Sequence, residues 1–481
     1  MSSLKSKAYK ALIWDLLGRI CSQGIGFFIS IVLARILLPE DFGMLAMVNA
    51  IIVVANVFIE MGFGGVLIQR KNIYDIHYSS VYYMNLTVGI FLSILLFFSS
   101  WSIGHFYNNQ DLPLIVQVMS PVVFFNSLGN VIRTKLRKEL NLKTITYALW
   151  IGMAMGGIVG VTMALTGYGV WSLVASSLIN PLISNLCLFL FVKWRPKLVF
   201  DIKVIKKLWK ESWKLLATGV LDVSFGNLDS ILIGKIFMAK QLGFYYRAAS
   251  LRNITIDFGS GSLNNIIFPV LSQLQSNNDE LRRAVKNGYH ALCFICFFLI
   301  ALFYIVAEDV VVVLFTDKWL PSVEMFRILL LAAFVTPTGY IMQHVVTCKG
   351  KFKLYLQLNS AKKLILASTY IVGIVMGFKA FLYCLVLGNV LGYIITIIYA
   401  AKELDVNPLK YFGIISNYVL FSLVLAVITD LTINPLEISS HFVKGLSRTL
   451  LFSLLYFGFG YLTKQKGAIY LLSQLTFMFR K

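Results

Sequence analysis

Apolar runs of about 20 residues, separated by short polar turns, follow one another along almost the whole chain. A helix of that length crosses a hydrocarbon core of roughly 30 Å. Counting such windows predicts about 14 spans, at residues 11–37, 44–68, 78–100, 113–132, 145–166, 169–192, 213–236, 242–270, 287–307, 323–346, 356–377, 380–401, 411–430 and 442–463. Several spans carry polar residues at steps of three and four, which puts them on one helical face. The first has Asp15, Arg19 and Gln23, with Arg35 at its far end; the second has Asn49, Asn56 and Glu60. The seventh has Thr218, Asp222, Gly226 and Asp229. The eighth has Arg247, Ser250, Asn253, Asp257, Ser260 and Asn264, with Arg252 beside them. The tenth has Arg327, Thr336, Pro337, Tyr340 and His344, and Pro337 predicts a kink. An ionisable group at mid-membrane costs on the order of 3 kcal/mol on insertion scales, so a one-faced stripe predicts a wet or protein-lined path. Internal pairing is the alternative for single residues: Asp15 with Arg19 at i,i+4, or Arg247 or Arg252 with Asp257.

Composition settles the solvent. Of 481 residues, 58% are hydrophobic and 14% charged, whereas a soluble domain is about a quarter charged. The runs are too long for the ~10-residue alternating strands of a membrane barrel. The expected fold is therefore an all-α integral membrane protein. The net charge of +21 does not call for nucleic acid, because the Lys and Arg residues sit in alternate loops. One side holds Lys5, Lys7 and Lys10, then 70–71, 133–143, 193–214, 282–286, 349–363 and 464–481; the loops 101–111, 166–169, 307–324 and 430–444 are poor in them. That asymmetry predicts an even number of spans with both termini cytoplasmic.

Residues 34–43 match 234–243 in pattern at an offset of 200, which also aligns Ser22 with Asp222, Gly26 with Gly226 and Ser30 with Ser230. Two pseudo-symmetric lobes of six helices follow, with a substrate site between parallel repeats. The predicted divisions are a first lobe at 1–192, a linker at 193–212, a second lobe at 213–401, two peripheral helices at 402–463 and a tail at 464–481. In the linker, Leu198, Ile202, Ile205, Leu208 and Trp209 recur at helical spacing among Lys203, Lys206, Lys207 and Lys210, predicting a basic amphipathic helix on the inner leaflet. A solvated loop is the alternative.

No catalytic constellation is present: no P-loop, nucleophile elbow or H-E-x-x-H, and five scattered histidines. Cys293 and Cys296 form a C-x-x-C inside an apolar run without a second pair, which reads as packing. No cofactor or metal is expected. The intramembrane arginines suit phosphate, through a planar donor fork that stays charged. Arg19, Arg247, Arg252 and Arg327 are the expected anion ligands, with Gln23, Asn49, Asn56, Asn253 and Tyr340 as further cavity groups. Asp15, Glu60, Asp222, Asp229 and Asp257 either balance those charges or bind a driving cation. Trp14, Tyr245, Tyr246 and Tyr340 are able to stack on sugar faces.

The run Leu33-Ala-Arg-Ile-Leu-Leu-Pro-Glu-Asp-Phe-Gly-Met-Leu-Ala and the run Phe58-Ile-Glu-Met-Gly-Phe-Gly-Gly-Val-Leu-Ile-Gln-Arg-Lys closely resemble polysaccharide flippases of the Wzx type. Trp14, Phe268-Pro269 and the loop Leu314-Phe-Thr-Asp-Lys-Trp-Leu-Pro are similar to the branch linked to lipopolysaccharide, colanic-acid-like and teichuronic-acid-like polymers. The resemblance implies the fold of the multidrug, oligosaccharidyl-lipid and polysaccharide exporter superfamily. It implies an oligosaccharide on undecaprenyl pyrophosphate as cargo, moved across the bacterial plasma membrane through a cationic lumen; H⁺ and Na⁺ both stay open as the driving cation for the aspartates above. A polysaccharide polymerase and glycosyltransferases are the implied neighbours. Two other readings stay open: a cation-coupled drug antiporter of the same superfamily, and a membrane glycosyltransferase or ligase, for which the loops leave little room.

Overall fold

A computed structural model describes residues 2–260, 267, 271–274, 277–436 and 438–479. Asn264 and the Phe268-Pro269 pair lie outside the described residues. Among the described residues the regular structure is helical, without strands. In order these are α1 (Ser2–Ile36), α2 (Pro39–Glu60), α3 (Phe63–Gln69), α4 (Asp75–Tyr107), α5 (Leu112–Met119), α6 (Pro121–Lys138), α7 (Leu142–Leu165), α8 (Val170–Phe191) and α9 (Ile202–Gly226). There follow α10 (Leu228–Ser260), α11 (Asn278–Ile305), α12 (Ala307–Phe315), α13 (Pro321–Leu330), α14 (Val335–Cys348), α15 (Phe352–Met376), α16 (Phe378–Glu403), α17 (Leu409–Ile433), α18 (His441–Leu462) and α19 (Lys466–Phe479).

Thirteen stretches of the described residues are long and apolar enough to cross a membrane. One of them, 202–257, is 56 residues long, or ~84 Å as a continuous helix, far beyond one crossing. It is broken at Asn227 and again at Met238, where φ is 68°. Met238 thus separates the seventh and eighth expected spans.

The chain forms two compact units, Met1–Tyr246 and Arg247–Lys481. In the first, α7 and α8 meet through small residues spaced by four. Gly152, Gly156 and Gly160 of α7 lie against the backbone carbonyls of Asn180, Ser176 and Ser172. Without a hydrophobic force between helices in lipid, such close approach is what holds them. The turn between α1 and α2 reads directly from its residues. Pro39 occupies the first turn, where its missing N–H costs nothing. Asp41 accepts the Leu38 N–H at 2.9 Å and favours the positive end of the helix.

This turn touches its own repeat. A Cβ on Gly43 would overlap the carbonyl of Ala239, and one on Gly243 would overlap the carbonyl of Pro39. Positions 39 and 43 therefore meet positions 243 and 239 reciprocally, at the offset of 200 seen in the sequence. Each glycine is needed because backbone passes where a side chain would stand.

The linker departs from expectation. Residues 192–201 are not helical, and Leu198, expected on an apolar face, is 93% exposed. The amphipathic stretch instead opens α9, which runs unbroken from Ile202 to Gly226 into the seventh span. Its Ile205 and Leu208 are buried with Phe63, Val66, Leu67, Tyr78 and Val131, and burying them in protein outcompetes laying them on lipid. The Arg70 guanidinium holds Glu211 of α9 as a fork, 2.6 and 3.2 Å. Gly62, at φ 67°, lets the chain turn against the backbone of Ser212.

In the second unit, the expected kink at Pro337 is a break instead. The helix stops at Leu330 and restarts at Val335, leaving Pro337 near the start of α14 where it interrupts no ladder. The last two spans, read as peripheral, are pinned by buried polar groups. Asp309, 2% exposed, accepts from Arg448 at 2.7 Å and lies 2.9 Å from His441 Nδ1. Arg448 also donates to Asn434 Oδ1 at 2.6 Å.

Candidate functional site

Helices α2 and α6 of the first unit enclose a polar cavity of about 330 Å³. Its chemistry comes from two stripes. Asn56 and Glu60 stand one turn apart at the end of α2; Asn126, Asn130, Arg133 and Arg137 follow on α6 at steps of four, three and four. Asn126 Nδ2 donates to Asn56 Oδ1 at 3.1 Å, joining the two walls. Arg133 is held from behind: its Nη2 donates to Ser184 Oγ at 3.2 Å and Asn185 Oδ1 at 2.9 Å on α8. Asn185 reaches that place because Gly129 has no side chain; a Cβ there would overlap its Oδ1. The Nε of Arg133 is buried and has no hydrogen-bond partner among the described residues. A buried donor left unmade costs about 1–3 kcal/mol, so the guanidinium is fixed yet underused. With two arginines and one glutamate, the cavity favours an anion.

Two other cations of this unit tie its elements together. Lys138 Nζ donates to the carbonyls of Leu67 and Arg70 at 2.7 and 2.6 Å, capping the end of α3. Lys197 bridges to Asp75 at 3.1 Å, and Trp194 Nε1 donates to the same carboxylate at 3.2 Å.

The second unit has its own polar cavity, of about 210 Å³, between α14, α15 and α16. Thr336, Tyr340 and Gln343 come from α14, Lys362 and Lys363 from α15, and Asn389 from α16. Thr336, Tyr340 and Gln343 follow Asn126, Asn130 and Arg133 at a constant offset of 210, each on the helix that begins after a break.

The expected site residues scatter over several surroundings. Asn56 and Glu60 line the first cavity and Tyr340 the second. Arg247, expected to hold phosphate, is only 1% exposed; its guanidinium lies 4.4 Å from the Phe315 ring centre and 4.8 Å from that of Trp319. This closed cation–aromatic packing keeps it from any ligand in this conformation. Arg327 sits against Tyr304, donating to its carbonyl at 3.3 Å, and Arg252 donates to its neighbour Asn253 at 2.9 Å. Asp15 and Arg19 pair at 2.7 Å with both side chains exposed. Asp229 accepts from Tyr245 and from the Ser230 N–H. Asp222, Asp257 and Gln23 are exposed and Asn49 is half-buried; these four line neither cavity.

Sequence reading missed Asn126, Asn130, Arg133, Arg137, Lys362, Lys363, Gln343 and Asn389. The arginines and lysines had been assigned to cytoplasmic loops, although the 4-3-4 spacing from Asn126 to Arg137 continues the helical period past the apolar run.

Comparison with known proteins agrees with this architecture. Residues 32–324 match the family model described as "Polysaccharide biosynthesis protein". An uncharacterized membrane protein in the cps region of Klebsiella pneumoniae is 22% identical over 453 residues, 92% of this chain and 93% of that one. The lipopolysaccharide biosynthesis protein WzxC of Escherichia coli (strain K12) is 23% identical over 77% of this chain and 76% of its own. The teichuronic acid biosynthesis protein TuaB of Bacillus subtilis (strain 168) is 24% identical over 60% of this chain and 61% of its own. Among solved structures, the inward closed conformation of the lipid II flippase MurJ superposes with a TM-score of 0.75 at 14% identity, over 94% of this chain and 99% of that one. An inward-facing multidrug transporter of the MATE family gives 0.63 at 15%, over 80% and 94%. The fold is thus the two-lobe transporter fold these structures share, and this multi-pass membrane protein belongs to the polysaccharide biosynthesis protein family.

Proposed function

We propose that this chain is a flippase for oligosaccharides linked to undecaprenyl pyrophosphate, working in the bacterial plasma membrane with both termini in the cytoplasm. The observation that carries the reading is the α2–α6 cavity. Arg133 and Arg137 present guanidinium groups on one face, and Asn56, Asn126 and Asn130 supply neutral donors around them. A diphosphate carries charge that lipid rejects, and a fixed set of charge-assisted donors replaces its hydration. The family membership, the relatives named for lipopolysaccharide and teichuronic acid biosynthesis, and the fold shared with a lipid II flippase support the same cargo class.

In this reading the sugar-diphosphate head enters from the cytoplasmic side while the polyprenyl tail stays in lipid, and the lobes alternate access. Arg19, Arg252 and Arg327 add cationic contacts along the path. Gln23, Asn49 and Asn253 add neutral ones. Asp15, Glu60, Asp222, Asp229 and Asp257 balance charge or carry the coupling H⁺ or Na⁺. The polymerase and glycosyltransferases of the same polymer are its neighbours.

The test is the pair Arg133→Gln with Arg137→Gln in cells that depend on this chain for polymer export. Export is expected to stop at normal protein level, with the lipid-linked repeat unit accumulating. Normal export in the double variant sinks the assignment.

A further inference from the structure

The cavity of the second unit differs from the first in a way that names another ligand group. Lys362 lies on α15, inside the expected span 356–377 and six residues from its start, hence about 9 Å along the helix from that end and within a core of roughly 30 Å. An ammonium at that depth is expensive and marks function by default. It makes no hydrogen bond or ion pair with a described residue, yet it is not loose. Its stem crosses α16 at Gly392, where an added Cβ would stand 2.9 Å from Lys362 Cγ. No carboxylate is among the described residues lining the cavity. Thr336, Tyr340, Gln343 and Asn389 surround the lysine with hydroxyl and amide groups, and Tyr340 and Tyr393 add aromatic faces.

We infer that the α14–α16 cavity is a subsite for an acidic sugar residue of the cargo, its carboxylate held by Lys362. This rests on the flippase reading and refines it. The volume of about 210 Å³ suits one sugar unit rather than a whole repeat. The lining is what a pyranose ring with one negative group asks for: neutral donors and acceptors for hydroxyls, aromatic faces for C–H edges, and ammonium point charges without a carboxylate among the described lining residues. A diphosphate is better matched by the paired forks of Arg133 and Arg137, which offer planar, multidentate donors. Lys363, which also lines the cavity, adds to its positive potential. Gly392 acts as a positioning residue, since any side chain there displaces the Lys362 stem.

The experiment uses the full-length protein in detergent micelles and saturation-transfer NMR, with three probes: an α-1,4-linked galacturonic acid trisaccharide, its carboxyl-reduced galactose counterpart, and inorganic pyrophosphate. The acidic trisaccharide is expected to bind the unaltered protein about tenfold more tightly than the neutral one, the scale of one charge-assisted hydrogen bond. Lys362→Gln is expected to bring the acidic probe down to the neutral level while leaving pyrophosphate binding unchanged. Arg133→Gln is expected to do the reverse. Lys362→Met, which keeps the stem against Gly392, replaces K362Q if that variant does not elute as a single species. Equal binding of the acidic and neutral probes overturns the subsite, as does an unchanged acidic signal in K362Q. Displacement of the acidic trisaccharide by pyrophosphate also overturns it, since it would make the cavity a phosphate site. If pyrophosphate fails to bind the unaltered protein while the acidic probe binds as described, the diphosphate assignment fails and the acidic-sugar subsite stands.

Discussion

The two polar cavities, one in each unit, share a frame and differ in chemistry. Each is built on the helix that begins after a break, α6 after Ser120 and α14 after Phe334. Each places three polar side chains at matching positions, Asn126, Asn130 and Arg133 in one and Thr336, Tyr340 and Gln343 in the other. In the first, the cations belong to that same helix and form a guanidinium pair. In the second, the equivalent stripe is neutral and the charge arrives from α15 as an ammonium. A repeated scaffold thus places polar groups alike, and in the proposed function residue identity at each position decides which anion each cavity would receive. Forks fit a diphosphate and a point charge among hydroxyls fits a sugar acid.

The comparison is broken most severely by removing a charge that belongs to neither cavity. Arg448→Ala leaves Asp309 buried without its guanidinium partner, and breaking a buried pair costs about 3–5 kcal/mol. The variant is expected to lose melting temperature and expression while binding each probe normally in whatever folded fraction remains, which a thermal melt and a ligand titration together check. Next is the double variant R133Q and R137Q. Losing two charge-assisted contacts of about 1.5 kcal/mol or more each is expected to slow export about hundredfold, with the melting temperature held. A smaller effect follows from Gly129→Ala, which pushes Asn185 away from Arg133. Export is expected to fall about tenfold, and Asn185→Ala, which removes the same acceptor, is expected to cost about as much. Lys362→Gln sits at the small end for cargo lacking an acidic sugar, where export should be nearly unchanged.

Hydropathy made the class, the number of spans and the two-lobe plan legible, because twenty-residue apolar runs have few other uses. The turn after α1 was readable from Pro39 and Asp41, although α2 begins at Pro39 and not at the expected residue 44; the match at 234–243 marked a repeat, and the contact between the two copies is seen only in the structure. The cavities were harder. Arg133 and Arg137 follow an apolar run that ends near Ile132, so a window of hydropathy stops short while the helix continues to Lys138. Lys362 lies inside the expected span 356–377, but it falls in the overlap with the basic loop 349–363, whose charge alternation hides it. Arg247 shows the opposite failure. Its stripe is real, but periodicity reports a face and not its cover, and Phe315 and Trp319 lie some seventy residues further along the chain. Asp309 stands on α12 and both Arg448 and His441 on α18, more than 130 residues further along, so their pairing has no local signal.

The central claim, that the α2–α6 cavity receives the diphosphate of a lipid-linked oligosaccharide, is tested most directly in proteoliposomes. The rate at which an undecaprenyl-diphosphate trisaccharide crosses the bilayer would be compared for the unaltered chain and for the R133Q and R137Q double variant. The account predicts rapid crossing by the unaltered protein and a rate lower by about hundredfold in the variant; equal rates would contradict it.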